Sequence, residues 1–246
     1  MVAYINGTSA LKEDSEKVIT FPGSREQVVE KQPAKKKGNY KEGEEQRVYP
    51  FKTEEDLQKM HNYFVEKKMW RNDLLFIVGV NVGLRAGDLL ELTWGQVFPD
   101  NYSEVANGIR IKEEKTDKWR TFYLNESCKK ALLEYFEKYT EKEKIPARDE
   151  YIFASRKGNG NGHIEVRSAG IILKKAAQAV GITYNVGTHS LRKTFGYWQL
   201  KAHQDDAMFL CHLQEMFNHT TPKVTLRYCG LEDENMEQYY NDVCLL

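Results

Sequence analysis

From Leu74 to Val82 the chain reads Leu-Leu-Phe-Ile-Val-Gly-Val-Asn-Val, apolar on nearly every side. A helix of this kind offers no face to water, so it has to run through a core with other elements packed all round it. Gly83 suits the left-handed residue that ends a helix, and Arg71-Asn72-Asp73 offers a cap at its start. The run is far shorter than the roughly 18–20 apolar residues that cross a membrane. No stretch of the 246 residues approaches that length.

The chain on either side supplies the cover. Thr53-Glu54-Glu55-Asp56 has the form of a capping box, and Leu57, Met60 and Phe64 follow at helical spacing. After Gly83 a second run, Leu89-Leu90-Glu91-Leu92, is expected to continue helically to Trp94. The period then changes to two: Ile109 to Lys112 and Trp119 to Leu124 alternate around a turn at Lys115-Thr116-Asp117-Lys118, which predicts an antiparallel hairpin. Asn125 or Ser127 can cap a long helix reaching about Lys142, with Leu132, Leu133 and Phe136 inward. Tyr151-Ile152-Phe153 reads as a short buried segment. Helices are expected again over Ser168–Val180, His189–Ala202 and Asp205–Phe217, and Thr221-Pro222 starts a last short one containing Tyr228. The pattern predicts a mainly helical α+β domain with a small antiparallel sheet.

Three segments are expected: a flexible polar and basic arm over 1–49, one folded domain over 50–230, and an acidic tail over 231–246 that forms a docking helix. The arm is rich in Lys, Glu and Gly and cannot bury enough surface to offset its ordering entropy. The formal net charge of +0 conceals an uneven distribution. Five acids and no Lys or Arg lie in the last 16 residues, whereas Tyr151–Leu200 holds seven Lys or Arg against Glu165 alone. A basic middle beside an acidic tail is compatible with a nucleic-acid partner. Four dispersed cysteines without a C-x-x-C pair read as reduced, mostly buried thiols. The start lacks the apolar core of a signal peptide, so a soluble cytoplasmic protein is expected. The glycine run at 158–162 lacks the Lys-Ser/Thr ending of a phosphate-cradling nucleotide loop.

Polar groups able to handle a phosphate fall in two places. Gly83-Leu84-Arg85-Ala86-Gly87-Asp88 follows the apolar helix. Thr188-His189-Ser190-Leu191-Arg192, Asn218-His219 and Arg227-Tyr228 lie downstream. His189 and Arg192 share one side of a helix turn. A guanidinium can clamp two phosphate oxygens as a fork, which a lysine cannot. A lysine ammonium can protonate a departing alkoxide. A phenol can attack phosphorus once a neighbour or a cationic setting activates it, since its ordinary pKa is about 10.

The order Arg85, Lys115, His189, Arg192, His219, Tyr228 resembles the tyrosine recombinase (phage integrase) family, whose catalytic domain it matches from Pro50 onward. Arg85 matches the first arginine of that family, and Asp88 is then expected to hold its fork in place. Lys115 stands where the family has its hairpin lysine, with Lys118 as the rival. His219 precedes Tyr228 by the family's interval, and Asn218 replaces the usual glycine there. The resemblance implies that Tyr228 is the nucleophile, with Tyr239 and Tyr240 next in order, and that no ATP, metal or other cofactor is needed. Lys118, Lys193 and Arg227 are candidates for touching DNA. It further implies a site-specific recombinase acting on double-stranded DNA through a 3′-phosphotyrosyl bond. Four protomers would assemble on two sites, with the tail docking on a neighbour. A type IB topoisomerase-like relaxase and a non-cleaving DNA-binding accessory protein are the alternatives. The first 49 residues are too few to supply the separate core-binding domain that most of the family carries upstream.

Overall fold

The structure is a computed structural model that describes residues 47–141, 145–155, 162–231 and Asn241. The expected arm up to residue 46, most of the glycine run, and nearly all of the acidic tail, with Tyr239, Tyr240 and Cys244, lie outside the described residues. The described chain is helical with one two-stranded antiparallel sheet, as the periodicity predicts.

The apolar helix, α2 (Trp70–Val82), is packed by α1 (Glu54–Glu66), α5 (Glu126–Thr140) and α7 (Thr188–Ala202). Thr53 caps α1 by accepting from the Asp56 N–H at 3.2 Å. Asp56 does not complete the expected box, because its carboxylate accepts the Tyr184 hydroxyl at 2.9 Å instead. The expected cap of α2 is also corrected. The helix begins at Trp70 after Met69, and Asn72 and Asp73 are buried inside its first turn. Asp73 is held there by His61 Nδ1 at 2.8 Å. Gly83 ends α2 in the left-handed region at φ 61°, and a Cβ there would stand 2.3 Å from the Phe195 ring. The glycine thus serves both the turn and the close approach of α7.

The run expected from Leu89 to Trp94 is two short helices, α3 (Ala86–Leu90) and α4 (Trp94–Val97). The break arises because Leu92 and Trp94 bond to the backbone of Ile152 and Glu150 instead of continuing the helix. Strands β1 (Gly108–Lys112) and β2 (Trp119–Tyr123) form the expected hairpin, with Ile109, Ile111 and Phe122 facing the core. Asn125, not Ser127, caps α5. Leu132 is buried and Phe136 packs on the core, but Leu133 is 41% exposed. One residue past Leu132 on a helix turns about 100° away, and Tyr135, Phe136 and Tyr139 take the inward stripe around Trp94.

Helix α6 (Val166–Ala179) starts two residues before the expected Ser168, and α8 (Phe209–Phe217) starts later than Asp205. Asp206 stops the earlier start by turning its carboxylate back onto the Met208 N–H at 2.9 Å. Helix α9 (Pro222–Cys229) is capped by Thr221 and ends at Gly230, φ 78°. Cys128 and Cys229 are buried free thiols and Cys211 a partly buried one. Among the described residues no helix is long and apolar enough to cross a membrane.

The segment before α1 straps α7 to α9. Phe51 is fully buried, its N–H bonds Thr194 Oγ1 at 2.8 Å, and its carbonyl accepts Trp198 Nε1 at 2.9 Å. Lys193 Nζ donates to the Val48 carbonyl at 2.8 Å, and Lys52 Nζ to the Gly230 carbonyl at 2.9 Å. The strap therefore reaches the end of the helix that carries Tyr228.

Candidate active site

The three helix ends that matter converge because one buried guanidinium ties them together. Arg192, in the second turn of α7, is 4% exposed. It donates from Nη1 to the Gly83 carbonyl at 2.6 Å and from Nη2 to the Phe217 carbonyl at 3.1 Å. The first bond fixes the turn leading to Arg85, and the second fixes the end of α8 leading to His219. Burial lowers the Arg192 pKa to about 10, where it is still cationic at neutral pH.

Tyr228 enters this setting from α9. Its hydroxyl lies 3.3 Å from His189 Nδ1, and its ring meets the rings of His219 and Phe217 edge-on at 5.0 and 5.5 Å. The Lys193 ammonium stands over the same ring, 5.2 Å from its centre. Burial pushes the phenol up to about 12, against the pull of Arg192 and Arg85. The proton therefore stays on Tyr228 until a base removes it.

The two histidines are poised the other way. His189 as a residue is exposed, while protein packed near its imidazole desolvates it in part. That packing, followed by the charges of Lys193, Arg192, Lys115 and Arg85, lowers its pKa. Burial and then Arg192 and Arg85 lower that of His219. Both are neutral near pH 7 and can accept or donate. His219 Nδ1 is paired with Thr225 Oγ1 at 3.1 Å. Asn218 adopts φ 52°, ψ 46°, the left-handed conformation in which asparagine can replace glycine.

Arg85, Lys115 and Arg192 thus all act on His189, and Arg85 and Arg192 act on His219 and Tyr228 as well. Arg85 Nη1 is buried and lacks a well-aligned hydrogen bond. It lies 2.7 Å from Glu113 Oε2, out of line for donation, and 4.0 Å from Asp88 Oδ2. Asp88 therefore does less for Arg85 than the sequence suggests; its Oδ1 accepts the Glu114 N–H at 3.0 Å and moors the hairpin on α3. Lys115, exposed in the hairpin turn, is one of the charges acting on His189. The neighbouring Lys118 is also exposed, and its carbonyl accepts the Glu113 N–H. Lys193, also a candidate for touching DNA, is buried at 9% exposure and donates from Nζ to the Val48 carbonyl at 2.8 Å. Arg227 is exposed, with its carbonyl accepting from Arg47 Nη2 at 3.5 Å.

Two residues of the cluster, Glu113 and Arg120, escape the sequence reading. Arg120 Nη1 is 3.5 Å from Glu113 Oε1, and the Thr116 hydroxyl donates to Glu113 Oε2 at 2.7 Å. Burial pushes Glu113 up, but Thr116, Arg85 and Arg120 outweigh it and leave its pKa lowered. The signal was present: alternation in β2 puts Arg120 on the same face as buried Phe122.

One buried and two partly buried guanidiniums beside a histidine-paired phenol, on a helical domain with one hairpin, are groups of a kind suited to holding a phosphate. The chain belongs to the phage integrase family, whose model matches residues 50–235. It is 32% identical over 193 residues to the probable integrase/recombinase YoeC of Bacillus subtilis (strain 168), covering 78% of this chain and 95% of YoeC. The fold is similar to that of XerA recombinase, with a TM-score of 0.58 at 20% identity, covering 81% of this chain and 65% of that one. It is also similar to XerH site-specific recombinase bound to a palindromic difH substrate in a post-cleavage complex. There the TM-score is 0.59 at 21% identity, covering 80% of this chain and 54% of XerH. The chain therefore spans 65% and 54% of the lengths of these two solved recombinases.

Proposed function

We propose that this chain is a site-specific DNA recombinase acting on double-stranded DNA in the cytoplasm, with residues 50–230 as its catalytic domain. The observation that carries the reading is the pairing of the Tyr228 hydroxyl with His189 Nδ1 beside Arg192 and Arg85. Arg85 Nη1, buried and 2.7 Å from the Glu113 carboxylate without a well-aligned hydrogen bond, is the donor that would turn to an incoming phosphate.

Tyr228 Oη attacks the phosphorus of a phosphodiester while His189 takes its proton. Arg85 and Arg192 draw charge from the non-bridging oxygens, and His219 donates to one of them. The bond from phosphorus to the 5′ oxygen breaks, and that oxygen leaves with a proton from Lys115. The product is a 3′-phosphotyrosyl bond and a free 5′-hydroxyl. Attack by a partner strand's 5′-hydroxyl reverses the steps and joins new ends. The bond energy is kept in the covalent link, so these steps call on no group beyond the side chains named. Four protomers on two DNA sites, each tail docked on a neighbour, and the arm over 1–49 complete the proposed assembly.

The test is covalent trapping. Nicked duplexes from the DNA flanking the coding region are incubated with wild type and Tyr228→Phe and run on a denaturing gel. An adduct formed by wild type alone is expected. Salt-sensitive binding with no adduct on any duplex would instead indicate a non-cleaving accessory protein. Relaxation of any supercoiled plasmid would indicate a relaxase.

A further inference from the structure

Arg120 occupies an unusual slot. It lies opposite Ile111 in the sheet register, and its side chain is 14% exposed. Its strand neighbours Trp119 and Tyr123, on the other face, are 61% and 74% exposed. A guanidinium placed inward is costly to desolvate unless it is paired. Its pair is Glu113, a carboxylate only 5% exposed. Glu113 is shared between two arginines: Oε2 is 2.7 Å from Arg85 Nη1, and Oε1 is 3.5 Å from Arg120 Nη1.

This sharing poses a problem for a phosphate clamp. An anion arriving at Arg85 must displace Glu113 or sit beside it. A buried carboxylate left without a counterion is strongly unfavourable and would also repel the incoming phosphate. Asp88 cannot take over as a partner, since it is itself a carboxylate. A second cation already on the far oxygen solves this.

We propose that Arg120 is that cation: when Arg85 takes a phosphodiester, Glu113 passes from Arg85 to Arg120. Arg120 then never touches the DNA and acts as a positioning residue for Arg85. The Thr116 hydroxyl, 2.7 Å from Oε2, keeps that oxygen bonded during the exchange. The hairpin turn with Lys115 begins just after Glu113, so the exchange happens at the base of the loop that carries the proposed acid. The inference rests on Arg85 being the phosphate clamp of the proposed function.

The experiment is a double-mutant cycle on the full chain, read as the single-turnover rate of adduct formation on the nicked duplex. Absence of an adduct from wild type overturns the proposed function and this inference with it. With wild type active, Arg120→Met is expected to slow the step about tenfold, because Glu113 then holds Arg85 with full strength. Adding Glu113→Gln is expected to restore the rate to within about threefold of wild type, since a neutral amide releases Arg85. A merely structural pair predicts the opposite, a double variant at least as slow as either single one. Arg120→Met at the wild-type rate, or a double variant no faster than Arg120→Met, overturns the proposal. If Arg120→Met loses cooperative thermal unfolding, Glu113→Gln with Arg120 intact decides. A rate no slower than wild type supports the exchange, and about a tenfold loss refutes it.

Discussion

The hydroxyl of Tyr228 lies 3.3 Å from Nδ1 of His189, and burial moves the two groups in opposite directions. The phenol holds its proton up to about 12, while the imidazole is kept neutral below its ordinary value. In the proposed reaction a neutral imidazole then stands beside the phenol, and attack needs no free phenolate beforehand.

The first consequence is a pH profile. Adduct formation should be flat through neutral pH and fall on the acid side only below the ordinary histidine value of about 6.5, as His189 takes a proton. His189→Gln should be slower throughout and lose that acid limb. A limb that persists in His189→Gln assigns the titration to another group.

Stability should follow the same histidines. Their folded pKa values are depressed, so the unfolded chain binds more protons once the pH drops below about 6.5. Stability contributed by His189 and His219 is full above that value and is lost as pH falls through their folded values. Urea midpoints measured between pH 8 and 5 should fall less in His189→Gln/His219→Gln than in wild type. Equal falls would contradict the assignment.

Arg192 should matter to the fold as well as the chemistry. Arg192→Met leaves the Gly83 and Phe217 carbonyls without their donor. Leaving two buried acceptors unpaired should cost about 2–4 kcal/mol, measured by urea unfolding, together with loss of adduct. A fully stable Arg192→Met would show that the clamp between the two helix ends is unimportant.

Lys52 should act on rate alone. Lys52→Met retains the apolar stem but loses the bond to the Gly230 carbonyl at the end of α9. DNA affinity should be unchanged while adduct formation slows about three- to tenfold, and Lys52→Arg should recover most of it. Weaker binding with an unchanged rate would place Lys52 on the DNA instead.

Much of this was legible because strong local signals agree with the tertiary structure. The all-round apolar helix, Gly83, the alternating hairpin and Thr221-Pro222 each specify their own geometry, and His189, Arg192, His219 and Tyr228 stand on those elements. What was hidden depends on contacts between distant segments. Asn72 and Asp73 read as a cap because nothing local shows His61 waiting for Asp73. Leu89 to Trp94 reads as one helix because the pairing with Glu150 and Ile152 that breaks it is far along the chain. The bond from Lys193 to the Val48 carbonyl was not legible because the strap that supplies it is far along the chain. Glu113 was hidden for the same reason, since Arg85, which shares its carboxylate with the hairpin's own Arg120, lies in the turn after α2.

The most direct test of the central claim is the identity of the residue joined to DNA. No Lys or Arg lies between Arg227 and Leu246, so trypsin leaves Tyr228, Tyr239 and Tyr240 in one peptide. After nuclease digestion of the trapped adduct, fragmentation of that peptide should place the nucleotide remnant on Tyr228. A remnant on Tyr239, Tyr240 or a different peptide would contradict the account.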